Sequence, residues 1–170
     1  MKKTLSLLLV FTLLLLTACQ DASDTSSDTS SKEESALPST PWEQLQTLSD
    51  ELSAIYDCAH GAGLAVVMPA VFTYNMNHNV MRFAQAAVRV WGCQMDFEHP
   101  ERTAKAGIEA LRSFLISIGM PKNFAELGAK EEDIERMAHT ACHGDTRQGT
   151  IGGFVSLNQQ DVESIYRLML

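Results

Sequence analysis

Positive charge is scarce in this sequence: 13 lysines and arginines stand against 21 aspartates and glutamates, for a net charge of −8. No basic stripe gathers the few cations, which excludes the phosphate-tracking surface of a nucleic-acid binder. Cysteine is scarce too. Of four cysteines, Cys19 follows an apolar start, and Cys58, Cys93 and Cys142 form an odd set whose spacing matches no disulfide framework. Each of these three lies in a helical or apolar stretch and reads as a buried thiol from a reducing compartment. A dinucleotide-binding G-x-G-x-x-G is missing, because Gly61–Ala62–Gly63 follows no strand and has no matching third glycine. Neither Ser53 nor Ser156 has a G-x-S-x-G context, so no nucleophile elbow is present. No strand-like alternation persists and no repeat is visible, which leaves helices as the only regular element the pattern supports.

The apolar start is the first positive feature. Met1–Lys2–Lys3 is a short basic opening, and Leu5 to Leu16 is an apolar core too short to span a membrane. Leu16–Thr17–Ala18–Cys19 completes the order of a lipoprotein signal, with cleavage before Cys19 and lipid on its thiol and amine. Residues 1–18 are therefore expected to be a signal peptide. The mature chain is expected to be anchored to a membrane outside the cytoplasm through the lipid on Cys19. Its acidic balance would give no electrostatic help on anionic lipid. Reducing-compartment thiols sit poorly with export, so the two ends of the chain disagree about its compartment. Residues 19–41, rich in Ser, Thr and Asp, read as a disordered tether.

Residues 42–170 carry helical periodicity. Leu45, Leu48, Leu52 and Ile55 fall on one helix face. Leu64 to Phe72 is an apolar run interrupted by Pro69, and Asn75 to Asn79 reads as a polar turn. Val80, Phe83, Ala84, Ala87, Val88 and Trp91 recur at helical spacing before Gly92. Pro100 opens a helix whose face is Ala104, Ile108, Leu111, Leu115 and Ile118, with Gly119 and Pro121 stopping it. Asn123 to Gly128 forms a short turn of helix, and Glu131 to Asp133 favour the N-terminus of a helix lined by Ile134, Met137, Ala138 and Ala141. A glycine-rich loop over 143–153 precedes Asn158, an N-cap for a last helix that buries Val162, Ile165, Tyr166 and Met169. The fold class is all-α, a crossed array of about six helices. Trp42 and Trp91 read as packing residues.

The stretch Asp50 to Ala70, DELSAIYDCAHGAGLAVVMPA, concentrates the candidate chemistry. Its His60 stands before a glycine-punctuated turn, Gly61–Ala62–Gly63, where an apolar helix begins, and the glycines let another group approach closely. By residues alone it is either a ligand position or a histidine at the end of a buried helix. The motif ELSAxYDxAHGxGLAxVxPA, together with RFAQAAVRVWG, GIEALRSFLISIGMPKNFAELG and GGFVSLNQQDVESIYRL, resembles the iron-containing alcohol dehydrogenases, in particular the butanol dehydrogenase branch. The likeness runs over roughly residues 48–170. It implies the dehydroquinate synthase-like helical half of an oxidoreductase that uses Fe or Zn and NAD(P). It also makes His60 the last of four metal ligands. Two further histidines of that family fall, by offset, on Gln46 and Asp50, and the family's nucleotide-binding half lies upstream. The resemblance therefore implies a chain that keeps one ligand position, His60, and binds metal weakly through it, since tight sites need about three or four ligands. No cofactor site and no catalytic residue is assigned. A separate nucleotide-binding chain, or self-association, would cover an apolar face near His60. A scaffold module reusing the fold is the alternative. His139, Cys142, His143 and Asp145 form a second cluster, either a structural metal site or a solvated helix end.

Overall fold

The computed structural model describes residues 41–144 and 148–170. The signal peptide, Cys19 and the tether up to Thr40 lie outside the described residues, as does Asp145. Pro41, assigned above to the tether, is instead the first residue of helix α1 (Pro41–Tyr56). A proline fits there because the first helical N–H has no intrahelical acceptor.

Helix α1 buries Leu45, Leu48 and Leu52 as its spacing predicts. It stops where Asp57 takes a left-handed φ of 49°. Helix α2 (His60–Asn75) follows after only three residues, so Gly61–Ala62–Gly63 is not a turn but the first turn of this helix. Apolar residues surround it, and Ala65, Val66, Val67, Ala70 and Val71 are all buried. Pro69 removes one backbone N–H from the ladder, and the Thr73 hydroxyl donates to the Pro69 carbonyl at 2.7 Å. The expected polar turn is a 3₁₀ turn, Met76–His78, preceded by a buried Asn75 and containing a buried Met76.

Helices α3 (Val80–Trp91) and α4 (Pro100–Ser117) pair as a hairpin. Asn79 caps α3 by accepting the Arg82 N–H, and Gly92 ends it with φ 66°. The predicted faces of this pair reach too far. Val88 and Ile118 are 37% and 52% exposed, because the hairpin buries only its inner half against Met76, Ala84, Ala104 and Ile108. The short α5 (Phe124–Leu127) plants Phe124 in the main core. Helices α6 (Ile134–His143) and α7 (Gln159–Arg167) close that core over α1 and α2. The Tyr166 hydroxyl donates to the Leu48 carbonyl at 3.1 Å across the interior.

The described residues thus hold seven α-helices and one two-stranded antiparallel ladder, β1 (Thr150–Ile151) with β2 (Leu157–Asn158). The expected loop over 143–153 therefore contains a strand, too short to show any alternation. The three cysteines also differ from expectation: Cys142 is buried, whereas Cys58 and Cys93 are half-buried. Trp91 packs on Phe114 with centroids 5.8 Å apart, but Trp42 is 48% exposed and packs little. No described helix is long and apolar enough to cross a membrane.

Candidate functional site

Successive turns of α1 line a cleft of about 400 Å³ with the exposed Glu43, Gln46 and Asp50 and the buried Thr47. Its opposite wall is β1 with Gly152, held in place because Ile151 is buried beneath it. His60 enters from the start of α2. Its Nδ1 lies 3.2 Å from Asp50 Oδ1 and 3.3 Å from Ser49 Oγ. The Ser49 hydroxyl donates to the His60 carbonyl at 3.2 Å, which leaves its oxygen lone pairs toward the ring. A neutral imidazole facing a carboxylate and such an oxygen carries its proton on Nδ1, so the Nε2 lone pair is the ligating position. Close helix approach makes this possible. A Cβ on Gly63 would stand 2.6 Å from Ser49 Oγ, so only glycine lets α1 and α2 meet here.

Asp50 therefore brings His60 to the mouth of the cleft that Gln46 and Asp50 share. The arrangement is that of a histidine oriented by a carboxylate, the form in which many metal-bound imidazoles are held. Among the described residues, however, no three His, Cys, Asp or Glu side chains are grouped so as to hold a metal ion. The donor set does not fit an iron or zinc ion held by these residues alone, and no chemical step is assigned to one. The face around His60 is polar and solvated, with Glu43, Gln46, Asp50 and His60 all exposed. This corrects the expectation of an apolar surface there; α1 is amphipathic, and the side away from the core is its polar side.

His139 and His143 stack at 4.6 Å between ring centroids on the exposed end of α6. His143 Nδ1 lies 3.1 Å from the His139 carbonyl. Cys142 is buried, and among the described residues it forms no metal-holding group with them. The sequence reading missed Glu43 and the β1 wall. Glu43 was accessible, because it precedes Gln46 by three positions and Asp50 by seven on one helix face.

The site is thus a cleft on a helical domain, with a carboxylate-oriented histidine beside it at a helix start. The crystal structure of NADH-dependent butanol dehydrogenase A from Thermotoga maritima shares this fold with a TM-score of 0.66 and 29% identity, over 76% of this chain and 33% of that one. Residues 38–170 match the Fe-containing alcohol dehydrogenase family, C-terminal, and the chain belongs to that family. It is 34% identical over 119 residues to probable NADH-dependent butanol dehydrogenase 1 of Bacillus subtilis, covering 70% of this chain and 30% of the relative. It is 32% identical over 121 residues to NADH-dependent butanol dehydrogenase A of Clostridium acetobutylicum, covering 71% and 30%. The chain spans about a third of the length of these relatives.

Proposed function

We propose that this chain carries the helical half of an NADH-linked alcohol dehydrogenase site and is not a competent dehydrogenase by itself. One observation supports this reading: among the described residues no imidazole lines the cleft itself, and His60 adjoins it only through Asp50, which is engaged with Nδ1. Gln46 and Asp50 stand at the offsets where the resemblance expects histidines. One imidazole and an amide bind Fe²⁺ or Zn²⁺ far more weakly than three or four converging donors. The full-length chain, given NADH, butanal and added Fe²⁺ or Zn²⁺, is expected to show no NADH oxidation above the blank. Turnover that disappears in His60→Ala would overturn the proposal.

A second reading is that a nucleotide-binding polypeptide completes the site across the polar cleft. Co-expression with the N-terminal part of the Bacillus subtilis relative tests it. A stable complex that oxidises NADH with butanal supports completion, and failure to associate removes it. Tethering through a lipid on Cys19 belongs to the same proposal, because it would hold such an assembly at a membrane surface.

A further inference from the structure

A second cavity, of about 320 Å³, lies away from His60 between α1, α2, α3 and the 152–155 segment. Its walls are aromatic. Phe83 meets Phe72 edge-on at 5.8 Å and Phe154 edge-on at 5.9 Å. Its floor is an amide relay whose orientation is forced. The Val155 carbonyl can only accept, so Gln44 turns its Nε2 toward it. Gln44 Oε1 then faces Asn75 and takes its Nδ2 at 3.2 Å. Asn75 Oδ1 is what remains: a buried acceptor with no donor among the described residues, on a residue only 2% exposed. Gly153 lets the segment lie this close, since a Cβ there, at φ 153°, would meet Gln44 at 2.6 Å. Exposed Arg82 lines the same cavity and has no carboxylate partner among the described residues.

We propose that this cavity binds a small organic acid with an apolar chain and a hydroxyl or amino donor, such as a 2-hydroxy acid. The chain packs against Phe72, Phe83 and Phe154. The donor gives Asn75 Oδ1 the hydrogen bond it lacks, and the carboxylate pairs with the Arg82 guanidinium. The acid and the donor each answer a polar group that has no such partner among the described residues. An apolar alcohol would leave Arg82 unpaired, and a simple fatty acid would leave Asn75 unsatisfied. The cavity is separate from the His60 cleft, so this inference does not depend on the dehydrogenase reading.

Calorimetric titration of the full-length chain with 2-hydroxyhexanoate, hexanoate and hexan-2-ol tests it. The hydroxy acid is expected to bind most tightly, each single-group probe falling short by roughly tenfold, the loss for one charge-assisted or buried hydrogen bond. Arg82→Gln, at an exposed side chain, should bring 2-hydroxyhexanoate down to the level of hexan-2-ol. Asn75→Leu should bring it down to the level of hexanoate while leaving hexanoate unchanged. Three equal affinities, no heat with the hydroxy acid, or an Arg82→Gln variant that binds as the wild type does would each overturn the proposal. Should Asn75→Leu not fold, the probe series and Arg82→Gln still decide.

Discussion

Asp50 and Ser49 set what His60 can do, because both lie at Nδ1 and leave Nε2 as the ligating nitrogen. A second imidazole in the same cleft should change metal affinity more than any change at Nδ1. Gln46→His is expected to tighten Zn²⁺ binding by roughly tenfold or more, since ligand number dominates affinity. Calorimetry with Zn²⁺ checks this, and unchanged affinity would show that Gln46 and His60 do not converge. The tyrosines give a second prediction at this scale. The hydrogen bond to Asp161, then burial, raises Tyr74 from 10.0 to about 12. Burial and the Asp133 hydrogen bond raise Tyr56, and burial raises Tyr166. These are the chain's only three tyrosines. A folded pKa above the unfolded value means that the stabilisation is whole below pH 10 and is lost as pH climbs through the raised values. Phenolate absorbance should therefore rise at higher pH in the folded chain than in the unfolded one. Folded and unfolded chains that titrate together would contradict the Asp161 and Asp133 bonds.

At the scale of elements, α7 has the clearest dependence on a single residue. Asn158 accepts the Gln160 and Asp161 N–H groups, and Asp161 returns the bond to the Asn158 N–H. Asn158→Ala should cost about 1 kcal/mol of stability, seen as a lower midpoint in a thermal melt. A change within error would mean that burial alone holds α7. Caps such as this one and Gly92 were legible in the sequence, because capping chemistry is local; Asn79 read only as the end of a polar turn, although it caps α3. So were the buried stripes of α1, α6 and α7, where apolar spacing and tertiary burial agree. The start of α2 was not legible. Gly61 and Gly63 read as turn punctuation, yet Gly63 is there to let Ser49 approach, a long-range reason that no window of sequence contains. The β1–β2 ladder was hidden for a different reason, since two residues cannot display a period. His60 was read from a motif, whereas its link to Asp50 needed the crossing of α1 and α2. The relay from Val155 through Gln44 to Asn75 joins residues more than 100 positions apart and left no sequence trace.

At the scale of the molecule, export is the open question that one substitution addresses. Cys19→Ala should release the chain from the membrane fraction or leave its signal uncut, as read by fractionation and lipid labelling. A wild-type chain recovered unlipidated from the cytoplasm would end the tether proposal. The helical body itself is not uniform. Helices α1, α2, α6 and α7 share one large core, while the α3–α4 hairpin packs on a smaller one, Met76, Ala84, Ala104 and Ile108, with Phe72, Val80, Phe83 and Met95 partly buried against it. Three of its four buried residues have small or flexible side chains, so less apolar area opposes the hairpin's detachment than holds the large core. It should behave as a separate cooperative unit that opens while the rest stays closed. In amide exchange, protons of α3 and α4 would then trade with solvent as a block, ahead of those in α1 and α7. Phe83 would leave with that block, so the aromatic wall it builds with Phe72 and Phe154 would come and go on the hairpin's own timescale. Occupancy of that cavity would then follow how often this part of the chain lets go.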